Sequence, residues 1–117
     1  MISKFSFSEN TVGFILSGRV DDTIIEKFQS EILDKLESFD KINLYLEDNG
    51  IDSFSLSAIF NEIQFKMSHA NRFSKIVLVT DRTWIKFCGD IEGLFMGAEV
   101  TSFTTEKRLD AMNWIAA

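Results

Sequence analysis

Lys75-Ile76-Val77-Leu78-Val79 is a short, β-branched apolar run without polar alternation, the pattern of a strand covered on both faces of its sheet. It reads as a central strand, and the rest of the chain is arranged around it. Before it, Leu56, Ile59, Phe60, Ile63, Met67 and Ala70 recur at helical spacing, with Glu62 and Lys66 set for an i, i+4 pair, so a helix is expected to end near Asn71. Further back, Ile42, Leu44 and Leu46 alternate with Asn43 and Tyr45 as in a strand. That run is expected to stop at Glu47-Asp48-Asn49-Gly50, a polar loop leading to the helix.

Thr23 with Glu26 matches a capping box, and Ile25, Phe28, Ile32, Leu36 and Phe39 follow on one stripe, predicting a helix from about 22 to 38. At the N-terminus, Phe5 and Phe7 alternate within 4–7. Glu9-Asn10 offers a turn, and Val12, Phe14, Leu16, Gly18 and Val20 alternate again, which predicts an antiparallel hairpin. Beyond the central run, Asp81 is placed to cap a third helix facing inward with Trp84, Phe87, Cys88, Ile91 and Phe95. Gly89 and Gly93 each weaken that helix by about 1 kcal/mol relative to alanine. A last strand spans 99–103, and Thr104 or Thr105 caps a final helix carrying Leu109, Met112 and Ile115, with Trp114 beside them. The order ββαβαβαβα, joined by right-handed crossovers, predicts a single layered α/β domain over residues 1–117 with a mixed, mostly parallel sheet behind the hairpin.

Composition narrows the function. A chain of 117 residues can bury a core without staples. Its apolar runs fall short of the roughly 20 residues that cross a bilayer, and its first residues lack a secretory pattern. A net charge of −6 opposes nucleic-acid binding. One cysteine, Cys88, and one histidine, His69, make neither a disulfide nor a standard zinc site, which fits a reducing cytoplasm. There is no proline, so turns rest on Gly, Asn, Asp and Ser, while twelve phenylalanines supply rings for the core or for an apolar pocket.

The spaced positions of the second half carry a resemblance. Phe65, Met67-Ser68-His69, the run from Phe73 to Asp81, Trp84, Glu99-Val100-Thr101-Ser102-Phe103 and Ala111-Met112-Asn113-Trp114-Ile115 resemble the SpoIIAA-like family of the STAS-like group. The resemblance implies a non-enzymatic domain that holds apolar ligands or associates with membrane surfaces. In the wider group, anti-sigma-factor antagonists are phosphorylated on a serine at the start of the second helix, in a motif like Asp-Ser-Ser-Gly. Here Asp52-Ser53 is similar, but Phe54 and Ser55 replace the residues that follow.

Among candidate sites, Ser53, Ser55 and Ser57 stand where a helix N-terminus favours phosphate, making Ser53 and Ser55 the candidate phosphorylation sites of a partner switch. Asp21, Asp22, Glu47, Asp48, Asp52 and Asp81 are expected near the carboxyl ends of the strands, where caps and loop charge account for them. No set of base, orienting acid and oxyanion donors marks an enzyme, and no cofactor or metal is implied. The richest stretch is Trp84 to Gly97, whose apolar residues exceed one stripe, with Ile85 and Met96 falling away from it. An apolar pocket or lid is therefore expected from Phe60, Ile63, Met67, Trp84, Ile85, Phe87, Ile91, Phe95 and Met96. Arg72, Arg82 and Lys86 are the expected contacts to an acidic headgroup or membrane surface. The implied partners are an apolar small molecule or lipid, a peripheral membrane surface, a protein, or a second copy docked on the third helix.

Overall fold

Strand alternation sorts the apolar side chains of the sheet onto two faces, and helices cover both. The computed structural model describes residues 2–5, 8–83, 85 and 97–117. β1 (Ile2–Phe5) and β2 (Thr11–Val20) form the antiparallel hairpin, with Ile2 opposite Leu16. α1 (Asp22–Leu36), β3 (Ile42–Phe54), α2 (Leu56–Ser68), β4 (Phe73–Val79), β5 (Glu99–Phe103) and α3 (Arg108–Ala116) follow, and β2 to β5 pair in parallel. The five strands lie in the order β1-β2-β3-β4-β5. The mixed sheet and the hairpin expected from the sequence are present, and the other elements follow in the expected order, the helix expected between β4 and β5 lying outside the described residues. β4 is interior, paired on both edges, but the middle strand is β3.

On one face Val12, Phe14, Ile42, Leu44, Phe73 and Ile76 of the strands pack under Phe28, Ile32 and Leu36 of α1. Beside them Val20, Ile25, Ile51 and Ile85 close around Ala58 of α2. On the other face Tyr45, Val77 and Val79 meet Ala111 and Ile115 of α3. The ring of Phe5 crosses this face directly over Gly13, so close that a Cβ at position 13 would lie 2.7 Å from it. Phe5 then meets Tyr45 edge-on at 5.1 Å.

Local departures from the sequence reading have physical causes. α1 is capped by Asp21, whose Oδ1 accepts from the Ile24 amide at 3.1 Å, so the capping box on Thr23 is not used. Glu47-Asp48-Asn49-Gly50 does not end β3; the strand runs to Phe54 through two register irregularities against β2. Gly50, at a φ of 89°, supplies the conformation the first of them needs. Asp48 Oδ1 holds the bulge by accepting from the amides of Gly50 (3.2 Å) and Ile51 (2.9 Å). The helix expected to follow Asp81 lies outside the described residues, and the Asp81 side chain is bonded elsewhere. Its carboxylate accepts from the amide (2.9 Å) and hydroxyl (2.7 Å) of Thr105, tying the end of β4 to the 3-10 turn before α3.

Candidate functional site

α2 is oriented against its own hydrophobicity. Its spacing gives two stripes, and the one turned to the protein holds Ala58 and Lys66 as its buried members. Lys66 is only 6% exposed and is ion-paired with Glu62 one turn back. The other stripe faces solvent: Leu56 is 76% exposed, Phe60 71%, Met67 61%, Ile59 38% and Ile63 37%. Isolated apolar residues on a surface are ordinary, but five on one helix face form a contiguous patch of the kind that marks a contact site.

The start of α2 fixes this pose. Ser55 is its N-cap, accepting from the Ala58 amide at 3.1 Å. Ser57 donates to Asp22 Oδ2 at 2.7 Å and the Asn61 amide group to Asp22 Oδ1 at 2.8 Å, so one carboxylate on α1 holds the first turns of α2. Ala58, fully buried among Val20, Ile25, Ile51 and Ile85, brings the helix onto the sheet through its smallest apolar side chain.

Of the pocket residues expected from the sequence, Phe60, Ile63 and Met67 share the exposed face. Ile85 does not join them: it is buried among Val20, Ile25, Ile51 and Ala58, so it is core and not surplus. Trp84, Lys86, Phe87, Ile91, Phe95 and Met96, and the helix expected from them, lie outside the described residues. Leu56 and Ile59 belong to the exposed face although only Phe60, Ile63 and Met67 were assigned to a site. The 4-3-4 spacing of positions 56, 60, 63 and 67 was the available signal.

The arginines expected to meet a headgroup are engaged internally. Arg72 donates to the carbonyls of Leu36 (2.9 Å), Phe39 (3.2 Å) and Asp40 (2.6 Å), closing the C-terminal end of α1. Arg82 donates to the carbonyl of Ile51 and pairs with Asp48 at 3.3 Å. Both therefore serve the fold.

The buried carboxylates are likewise satisfied. Asp48 Oδ2 accepts from the Thr80 hydroxyl at 2.8 Å as well as facing Arg82. Glu47, on the opposite sheet face, accepts from the Tyr45 hydroxyl at 2.7 Å and pairs with Arg108 at 3.2 Å. Burial, with the Glu47 hydrogen bond adding to it, raises the Tyr45 hydroxyl above the ordinary tyrosine range and keeps it a donor. Asp81 is held below the usual carboxylate range, first by the Thr105 amide and then by its hydroxyl. Among the described residues no group of three acidic, histidine or cysteine side chains is placed to hold a metal ion, and no helix is long and apolar enough to cross a membrane. A separate cleft of about 340 Å³ lies between β1 and α1, lined by Ile2, Lys4, Phe14, Lys27, Ser30 and Glu31, with Lys4 and Glu31 paired at 2.6 Å.

A family model for SpoIIAA-like proteins matches residues 11–116. The chain belongs to the SpoIIAA-like family. Among solved structures, an uncharacterised protein with a SpoIIAA-like fold from Shewanella loihica PV-4 superposes with a TM-score of 0.78 at 16% identity, over 97% of this chain and 93% of that one. The anti-sigma factor antagonist SpoIIAA in its unphosphorylated form gives 0.62 at 11% identity, over 97% and 98%. The Bacillus cell fate determinant SpoIIAA in its phosphorylated form gives 0.59 at 13%, over 96% and 99%. At these identities the superpositions establish the SpoIIAA-like fold alone. No curated protein is similar enough in sequence to match. SpoIIAA-like architecture supports a binding or regulatory module in general terms, and within it Ser53 is part of β3 while Ser55 is the cap of α2.

Proposed function

We propose that this SpoIIAA-like chain is a non-enzymatic binding module that works through the outward face of α2. In this reading it reversibly covers Leu56, Ile59, Phe60, Ile63 and Met67 against an apolar ligand, a membrane interface or a partner protein. The observation that carries the reading is the exposure of all five on one helix face. Fully covering a side chain of this kind is worth roughly 1.5–3 kcal/mol. Association consumes much of such a gain, which suits a contact that forms and releases.

Two features shape the reading. The helix presents a convex surface, which fits an extended apolar counter-surface better than an enveloped small molecule. The internal engagement of Arg72 and Arg82 favours apolar contact over capture of an anionic headgroup. The satisfied partners of Glu47 and Asp48 support the non-enzymatic assignment, since neither carboxylate is left open to a substrate.

The test uses a dye that brightens on exposed apolar surface, anilinonaphthalene sulfonate. The wild-type chain should enhance its emission, and the double variant Phe60→Glu, Met67→Glu should lose most of that enhancement while keeping its circular dichroism. Equal enhancement in both proteins would remove α2 as the contact face.

A second reading, a serine-phosphorylation switch, rests on Ser55, whose hydroxyl caps α2 directly ahead of the exposed stripe. A phosphate there would meet the helix N-terminus favourably but sit beside Asp22. Intact-mass and fragment analysis of protein from its native host should find one phosphate on Ser53 or Ser55 if this reading holds. Unmodified protein under every growth condition would discard it.

A further inference from the structure

Resting on the reading of α2 as the contact face, we infer that its occupant is a second copy of this chain, docked antiparallel across a twofold axis. Leu56, Phe60, Ile63 and Met67 are separated by four, three and four residues, the alternation of d and a positions along a coiled-coil seam. Ile59, 38% exposed, flanks the seam along its edge. An axis passing between Asn61 and Glu62 sets Phe60 against the partner's Ile63 and Leu56 against the partner's Met67. Each layer then recurs on the other side of the axis, pairing an a with a d position, as a self-complementary twofold interface requires.

The electrostatics of the face select this occupant. The α2 residues beside the stripe on the α1 side are Ser57, Asn61, Gln64 and Ser68, all exposed and themselves uncharged, with the Asp22 carboxylate bonded to Ser57 and Asn61 next to them. The two charged residues of α2, Glu62 and Lys66, turn inward and pair with each other. A chain of net charge −6 repels its copies, and a stripe bordered only by neutral α2 side chains and the hydrogen-bonded Asp22 carboxylate on the α1 side lets two of them meet at low cost. A helix that adsorbs to anionic lipid carries Lys or Arg along its polar flank, and α2 carries neither on its outward side. A seam meant for a different helix selects it, and rejects itself, through flanking charges. Ser57 and Gln64 provide no such rejection.

The area suffices for a weak pair. The five side chains expose on the order of 500 Å² per copy, so two faces together reach about the 1,000 Å² expected of a specific interface. Leu33 of α1 is 44% exposed. It lies one turn beyond Gln29, whose side-chain amide reaches the Asn61 carbonyl, and is a further exposed apolar side chain on the neighbouring helix.

Sedimentation velocity from about 10 µM to about 1 mM, the range suited to an interface of this size, tests the pairing. The wild-type chain should pass from monomer to dimer, and Phe60→Lys and Ile63→Glu should each stay monomeric with unchanged circular dichroism. Mixing those two variants should restore a dimer, because the antiparallel register sets position 60 against position 63. A wild-type chain that stays monomeric throughout overturns the pairing, as does a dimer that both variants leave intact, or a mixture that does not recover. If the wild-type chain is monomeric but partitions into phosphatidylcholine vesicles through Phe60, lipid is the occupant and the second copy is not. The dye measurement separates the two failures: a monomer whose dye enhancement depends on Phe60 and Met67 loses only the second copy, whereas one without that dependence loses the contact face as well.

Discussion

α1 and α2 lie side by side on the same face of the sheet and carry equally regular apolar stripes, yet they point them in opposite directions. α1 turns Ile25, Phe28, Ile32 and Leu36 into the core. α2 turns Ala58 and the Glu62–Lys66 pair inward and leaves Leu56, Phe60 and Met67 in solvent. A stripe therefore shows that a helix has an apolar side; what that side meets is decided by the anchors at the helix start and by the space beneath it. In α2 those anchors are Ser55, Ser57 and Asn61, the latter two bonded to Asp22, and the space beneath is filled by an alanine.

The contrast can be broken by substitution. Truncating the stripe of α1, with Ile32→Ala, should cost about 2–5 kcal/mol in chemical denaturation because a packed core site is emptied. Phe60→Ala in α2, a larger deletion in volume, should move stability by no more than about 0.5 kcal/mol. A similar cost for both would mean that α2 is buried in the folded protein. Ala58→Leu should cost about 1–3 kcal/mol by overpacking the contact with Val20, Ile25 and Ile51. In thermal melts its transition should fall below that of wild type, and no change would show that the pose of α2 does not depend on close approach. Ser55→Ala should cost about 1 kcal/mol through the lost cap and raise amide exchange at Ala58 ahead of the rest of the helix.

The smallest effect concerns α3, whose approach is tied by a carboxylate where α2 is capped by a hydroxyl. Because Asp81 is depressed in the folded chain, its contribution is present above the ordinary aspartate range and is lost as pH falls through the lower, folded value. Acidification below about 4 should therefore loosen the Thr105 contact. In Asp81→Asn this part of the acid response should vanish from the amide exchange of Thr105, while the Ser55 cap is indifferent to pH in both proteins.

Much of the fold was legible because it rests on local periodicity. The alternation of Val12, Phe14 and Leu16, the uninterrupted Ile76 to Val79 and the stripe of α1 each appear in the structure as the element they suggest. What escaped local reading depends on distant partners. Glu47-Asp48 looks like a turn because neither carboxylate shows, within its own segment, the arginine that lets it stay inside a strand; those arrive as Arg108 and Arg82. Arg72 and Arg82 look like free surface cations for the same reason, since the carbonyls they satisfy lie some thirty residues earlier. For the site, the sequence gathered Phe60, Ile63 and Met67 onto one face but could not say that the face points outward. The place of Ile85 in the core is made by β2, α1, β3 and α2 together, which no local spacing displays.

Glu47 and Asp48 are joined by one peptide bond, yet one grips Arg108 at the start of the final helix and the other grips Arg82 and the bulge leading toward α2. The dipeptide is thus a rivet driven through the sheet. A pull on the layer behind it is transmitted to the backbone that carries the apolar helix in front, so the two sides of this small protein are mechanically one.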